Sequence, residues 1–228
     1  MKLDVDLVIF DLDGTILHTA PDIERCVNLA MDDFSLPHLT QEQILKAIGP
    51  GGTAFHETLV PDPALADKRE EIVQRYRSYY VQQNTVLTRP FDGVVQVLDA
   101  LRDAGVKMCV VSNKPQDQCR QILSGLKLDH YFLGIWGPEA VDHPKPEPDA
   151  LLFAMRECGS TAERSIMVGD TINDMASGHA ADVPTVFVTW GYVDESEIPP
   201  ELIDVAIDDP SELLALDVAE LRRKRNAA

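Results

Sequence analysis

Several apolar runs in this chain stop abruptly at residues that can do chemistry. Leu7 to Phe10 is one such run, and it gives way at once to Asp11, Leu12, Asp13, Gly14 and Thr15. Side chains alternate across a strand, so if the chain stays extended the two carboxylates share one face. Two like charges held that close need a cation, a shared proton or a protonated partner. A hard divalent ion such as Mg2+, which takes one or two carboxylates plus phosphate oxygens of a substrate, meets that need. An acidic surface turn, made from ordinary turn formers, accounts for the same residues without chemistry.

The other runs end in a related way. Val106 to Val111 stops at Ser112 and Asn113, a hydroxyl and an amide that can donate to phosphate oxygens. Ser165 to Val168 stops at Gly169, Asp170 and Thr171, with Asp174 one helical turn further on. Between them stands His143-Pro-Lys145-Pro-Glu147-Pro, where alternating prolines hold an extended loop and present Lys145 as a fixed positive charge. Each set has a plain structural role as an alternative: Ser112 and Asn113 as a helix cap, Asp170 and Asp174 as a first turn favoured by the helix dipole, Lys145 as surface charge. Ligands of open parallel sheets bind beyond the carboxyl ends of the strands. Taken together, the three strand ends supply a nucleophile, metal ligands, hydroxyl donors and a cation, which is the set that phosphoryl chemistry requires.

These residues need strands to carry them and helices to space the strands. Four consecutive apolar residues at Leu7 to Phe10 read as a strand buried on both faces. From Arg89 onward helical and apolar stretches alternate: helix Gly93 to Ala104, strand Val106 to Val111, helix from Pro115 to about Leu126, strand Tyr131 to Trp136, helix Pro148 to Cys158, strand Ser165 to Val168, a helix through Ala180, and strands Thr185 to Thr189 and Val205 to Ile207. That alternation means βαβ units and a parallel sheet covered on both sides. From Ala20 to Thr88 the pattern is helical throughout. Ile23, Cys26, Val27, Ala30, Met31 and Phe34 form a helix stripe, Thr40 and Gln43 form a capping box, and a longer helix is predicted over Ala64 to Gln83. Gly49, Pro50, Gly51 and Gly52 break the second helix. The expected fold is therefore α/β, a Rossmann-like doubly wound parallel sheet with an inserted all-helical cap domain. The core spans residues 1–17 and 89–228, and the insert spans 18–88.

Composition narrows the partners. The 228 residues carry 20 basic and 38 acidic side chains, a formal net charge of −18, which disfavours nucleic acid and anionic membrane surfaces. The N-terminus lacks the charged-then-apolar plan of a signal peptide, and no apolar run is long enough to span a bilayer. Cys26, Cys109, Cys119 and Cys158 have neither CxxC spacing nor neighbouring histidines, and read as reduced core thiols of a cytoplasmic protein. The basic run Arg222, Arg223, Lys224 and Arg225 reads as a solvated helix end.

The set DLDGT at Asp11 to Thr15, VVSNK at Val110 to Lys114, KPEP at Lys145 to Pro148 and VGDTINDMASG at Val168 to Gly178 resembles the four motifs of the haloacid dehalogenase superfamily, in their order. HTAPDI at His18 to Ile23, SNKPQ at Ser112 to Gln116 and WGY at Trp190 to Tyr192 are most similar to its phosphoglycolate phosphatase group. The resemblance implies that Asp11 attacks phosphorus and forms an aspartyl-phosphate, and that Asp13 protonates the leaving alkoxide and later deprotonates water. It implies Mg2+ held by Asp11, Asp13 and Asp170, with Asp174 supporting from behind, and phosphate held by Ser112, Asn113 and Lys145. Gly49, Gly51 and Gly52 resemble the cap loop that contacts the substrate, although a helix-helix turn fits them equally. His18 and Thr19 stand where an acidic residue and a serine are common, and Asp182 where a glycine is common. The expected activity is hydrolysis of a small phosphorylated metabolite, 2-phosphoglycolate foremost, by a monomer or homodimer. A sugar-phosphate phosphomutase, or a pyrophosphatase or nucleotidase of the same superfamily, carries the same motifs.

Overall fold

The N-terminal apolar run is a strand, β1 (Leu7–Phe10), with all four residues buried. The computed structural model describes residues 2–48 and 52–225. The chain divides into two compact units, Met1–Leu17 with Pro90–Ala228, and His18–Arg89.

In the first unit β1 joins β2 (Lys107–Val111), β3 (Gly134–Trp136), β4 (Ser165–Gly169), β5 (Thr185–Val188) and β6 (Val205–Ile207) in one sheet. Their order across the sheet is β3-β2-β1-β4-β5-β6, and every pairing is parallel. The register sets Phe10 beside both Val110 and Val168, so the chain leaves β1, β2 and β4 at one level. The strand order reverses at β1, where successive connections depart in opposite directions and open a crevice at the carboxyl ends of β1 and β4.

The unit His18–Arg89 is built from α1 (Ala20–Asp33), α2 (Gln41–Ala47), α3 (Gly52–Leu59) and α4 (Arg69–Gln83). The stripe on α1 is buried at Ile23, Cys26, Val27, Ala30 and Met31, and α1 packs on α4. At the start of α2 the Gln43 backbone N–H donates to Thr40 Oγ1 at 3.3 Å, and the Thr40 backbone N–H donates to Gln43 Oε1 at 2.8 Å. The helix predicted over Ala64 to Gln83 is two pieces, a 3₁₀ segment Pro63–Lys68 followed by α4. Asp62 causes the change: its side chain accepts from the Ala64 N–H at 2.8 Å, and the Leu65 N–H bonds the Asp62 carbonyl at 3.0 Å, closing a three-residue turn in place of a four-residue one.

Returning to the sheet unit, the chain adds α5 (Val94–Asp103), α6 (Gln116–Gly125), α7 (Asp149–Cys158), α8 (Ile172–Ala180) and α9 (Val218–Arg225). Leu7 and Ile9 pack with Cys109, Val111 and Met167 against Leu151, Ala154, Met155 and Cys158 of α7. Phe10 instead lines a small apolar cavity with Val94, Val97, Leu98 and Val168. This alternation is the period-2 geometry of a strand covered on both faces, and each such buried apolar side chain contributes roughly 1.5–3 kcal/mol. The strand expected from Tyr131 begins only at Gly134, because Asp129–Tyr131 is a 3₁₀ turn whose Tyr131 hydroxyl donates to Asp99 at 2.8 Å. The basic tail is not simply solvated. Arg225 donates to the carbonyls of Val183 at 3.0 Å and His179 at 2.8 Å, and Arg222 to that of Asp182 at 2.9 Å, so α9 is fastened to the chain leaving α8. All four cysteines are free and buried. Among the described residues no helix is long and apolar enough to cross a membrane.

Candidate active site

Every charged residue singled out at the strand ends lies in the sheet unit and is buried: Asp11, Asp13, Lys145, Asp170 and Asp174, with Ser112 and Asn113 beside them. Asp11 follows β1 directly, its backbone N–H bonding the Val168 carbonyl of β4 at 2.9 Å. Asp170 follows β4, and α8 then carries Asp174 back one turn later. Carboxylate oxygens of Asp11, Asp170 and Asp174 come within 4.8 Å of one another at the reversal point of the sheet.

Lys145 is the pin of this cluster. Its ammonium donates to Asp11 Oδ1 at 2.7 Å, to Asp174 Oδ1 at 2.6 Å and to the Val111 carbonyl at 2.7 Å, which engages all three of its protons. Burial by itself would lower the Lys145 pKa, but the carboxylates of Asp11 and Asp174 outweigh it and raise it. Asn113 secures the loop from which Lys145 reaches in, its side-chain amide donating to the Lys145 carbonyl at 2.8 Å. Ser112 Oγ accepts from the Lys114 backbone N–H at 3.3 Å, which stiffens the turn after β2.

The other carboxylates are held by different partners. Asp170 Oδ1 accepts from the Thr15 hydroxyl at 2.9 Å and Oδ2 from the Tyr192 backbone N–H at 2.9 Å. Gly14, at φ +86°, and Gly191 crowd against it, and a Cβ at either position would run into the Asp170 side chain. Asp174 uses Oδ2 to cap the start of α8, accepting from Thr171 N–H at 3.0 Å and Thr171 Oγ1 at 2.7 Å, so both its oxygens are engaged. The Asp13 carboxylate does not join this cluster. Both its oxygens meet Lys114 Nζ, at 3.1 and 2.9 Å. The neighbouring carboxylates of Asp11 and Asp13 therefore bond different lysines, and Asp11 shares its lysine with Asp174.

The charge balance shows what the site lacks. Four buried carboxyl groups face two ammonium groups, a formal excess of two negative charges when all four are ionised. Burial pushes the Asp11 carboxyl up to about 6, against the pull of Lys145 and with Asp174 adding to the rise. Asp170 is raised well above the ordinary value, by burial first and then by Asp11 and Asp174, against the opposing bonds from Tyr192 and Thr15. An all-oxygen donor set with two excess charges suits a hard divalent cation, so the acidic cluster can hold a metal.

Some participants are missed by a reading of the sequence. Thr15 and Tyr192 hold Asp170, and the Trp190 indole N–H donates to the Thr15 carbonyl at 3.1 Å. Lys114 lies two residues past Ser112 and is the only lysine in that turn; a cation directly after a strand end was the available clue. In the helical unit, Gly49, Pro50 and Gly51 of the glycine segment lie outside the described residues, and Gly52 opens α3.

A family model described as haloacid dehalogenase-like hydrolase matches residues 8–188. The chain belongs to that family. Among curated relatives of this haloacid dehalogenase-like hydrolase, the phosphoglycolate phosphatase of Aquifex aeolicus is 33% identical over 211 residues, covering 92% of this chain and 95% of the relative. The phosphoglycolate phosphatase of Agrobacterium fabrum is 33% identical over 210 residues, covering 89% and 88%. In three dimensions the crystal structure of a "predicted phosphoglycolate phosphatase" from Haemophilus somnus 129pt superposes with a TM-score of 0.86 at 26% identity, covering 93% of this chain and 97% of that one.

Proposed function

We propose that this hydrolase is a Mg2+-dependent phosphatase of small phosphomonoesters, with 2-phosphoglycolate as its substrate, and that it works through an aspartyl-phosphate on Asp11. The observation that carries the proposal is the convergence of Asp11, Asp170, Asp174 and Lys145 at the reversal point of the sheet, with two negative charges left over. A phosphomonoester is itself anionic, and a site of that sign repels it unless a cation enters as well. The Mg2+ would be held by the carboxylates of Asp11 and Asp170 and the carbonyl of Asp13, and when bound it supplies the missing positive charge and polarises the phosphoryl oxygens.

The protein's own residues then divide the work. Lys145 fixes one oxygen of Asp11 and so orients the carboxylate that attacks phosphorus. As the Asp11–phosphorus bond forms, the ester P–O bond breaks and the departing alkoxide takes a proton from Asp13. In the second half Asp13 removes a proton from water, whose oxygen attacks phosphorus and releases Asp11 and inorganic phosphate. Ser112 accepts from the Lys114 N–H, which leaves its hydroxyl to donate to a phosphate oxygen. Substrate choice is assigned to the helical unit, His18–Arg89.

The test is phosphate release from a panel of 2-phosphoglycolate, pyrophosphate, sugar phosphates and nucleotides, with Mg2+ or with EDTA. We expect 2-phosphoglycolate to give the highest kcat/KM and EDTA to abolish turnover. Release from none of them overturns the enzyme reading, a higher value for another ester corrects the substrate, and isomer formation from a sugar 1-phosphate identifies a mutase.

A further inference from the structure

Of the four acidic side chains at the site, Asp170 accepts from Thr15 and Tyr192 and Asp174 from Lys145 and Thr171, whereas Asp11 and Asp13 are each gripped by one lysine. Lys145 holds Asp11 through one oxygen and is shared with Asp174, while among the described residues Lys114 is the only side chain bonded to the Asp13 carboxylate, through both oxygens at 3.1 and 2.9 Å. Asp13 is also the most open of the four, at 8% exposure against 6% for Asp11 and 0% for Asp170 and Asp174. A carboxyl held by one partner takes its direction from that partner.

Lys114 is well placed to give that direction. Its side chain is 7% exposed. Its backbone N–H is tied to Ser112 Oγ at 3.3 Å, its carbonyl accepts from Cys119 Sγ at 3.5 Å, and Pro115 follows it. The ammonium thus projects from a backbone fixed on both sides, between the strand β2 and the helix α6.

We propose that Lys114 is a positioning residue for proton transfer: by gripping Asp13 it aims the carboxyl at the leaving oxygen in the first half-reaction and at water in the second. This rests on the phosphatase reading above. The grip is compatible with both states of Asp13. When one carboxyl oxygen carries the proton, the other still accepts from Nζ; when that proton has passed to the alkoxide as the P–O bond breaks, both oxygens accept, as in this structure.

An ester whose leaving group departs without a proton separates this role from a merely structural one. The experiment measures kcat/KM, which reports the steps through ester P–O cleavage and not the later hydrolysis common to both esters, for wild type, Lys114→Met and Lys114→Arg on 2-phosphoglycolate, an alkyl ester, and on p-nitrophenyl phosphate, an aryl ester with a stable leaving anion. General acid catalysis is worth on the order of 10²–10⁴-fold, so Lys114→Met should lower kcat/KM on the alkyl ester about 100-fold and on the aryl ester less than about tenfold. Lys114→Arg, which restores a two-pronged donor, should regain most of the alkyl rate. An equal fall in kcat/KM on both esters, no fall on either, or a rise in KM for 2-phosphoglycolate with kcat unchanged overturns the assignment. If Lys114→Met does not fold, Lys114→Gln gives the same alkyl-to-aryl ratio, read the same way. A wild-type protein that hydrolyses neither ester defeats the phosphatase reading itself and is thereby distinguished from a failure of Lys114 alone.

Discussion

Asp22 in the helical unit and Asp170 in the sheet unit are equally buried, both at 0% exposure, and they do opposite things. Asp22 lies on the first turn of α1, where its carboxylate accepts from the backbone N–H groups of Leu87 and Thr88 at 2.9 and 2.8 Å, from the Thr88 hydroxyl at 2.9 Å, and from Arg25 at 3.3 Å. Both its oxygens are bonded by donors, so the charge is satisfied where it stands and staples the two ends of the helical unit together. Asp170 accepts two hydrogen bonds and faces two further carboxylates. Burial and those neighbours disfavour its ionised form. Burial of an acid is thus no mark of a site by itself; the sign of what surrounds it decides.

The comparison can be broken or sharpened by experiment, beginning with the largest effect. Asp11→Asn should lower turnover by about 10⁴-fold or more while leaving the melting temperature within a few degrees; retained activity would mean that the nucleophile is misassigned. Asp22→Ala should do the reverse. It strips the acceptor from several buried donors and should cost about 3–5 kcal/mol in urea unfolding, and a loss below about 1 kcal/mol would show that Asp22 is no staple.

The acidic cluster should also make stability depend on pH and metal. Asp11 has a folded-state value of about 6 against an ordinary 3.8, so between those values the folded protein binds more protons than the unfolded chain. Metal-free stability should therefore fall as pH rises through that window, with the penalty fully present above about 6. Saturating Mg2+ at pH 7.5 should return roughly 2.7 kcal/mol at a hundredfold excess over Kd, and much less at pH 4.5, where the ligands are protonated. Thermal melts with Mg2+ and with EDTA at both pH values check this; an equal gain at both would dissociate the metal from these carboxylates. The smallest effect is expected far from any buried charge. Thr40→Ala breaks the exposed capping box of α2 and should cost about 1 kcal/mol, which calibrates how much of the Asp22 effect reflects burial.

Much of this molecule was legible in the chain because its elements obey local rules. Four consecutive apolar residues made β1, the Thr40 and Gln43 pair made a capping box, and Gly159 ended α7 in the left-handed conformation. Element ends were less legible where a side chain competes with the backbone, as at Asp62, or where a bond to a distant residue holds a turn, as at Tyr131. Asp11, Ser112 and Asp170 were visible because each follows a strand directly, and a strand end has a place in the sheet that sequence order constrains; Lys145 was visible through the prolines that flank it. Lys114, Thr15 and Tyr192 were not given their roles, since each acts on a carboxylate two or more residues away in the chain: 101, 155 and 22 positions respectively.

The sequence by itself determined which residues could carry phosphoryl chemistry, because residue type and position after an apolar strand are local properties of the chain. Only the tertiary structure decided how they are shared out. It paired Lys145 with Asp11 and Asp174, gave Asp13 to Lys114, and left Asp170 among like charges at the point where the strand order reverses. The physical reason is that electrostatic energy depends on distance and on exclusion of water. Both are set when β1, β2 and β4 align in register, and neither is written in the spacing of the residues along the chain.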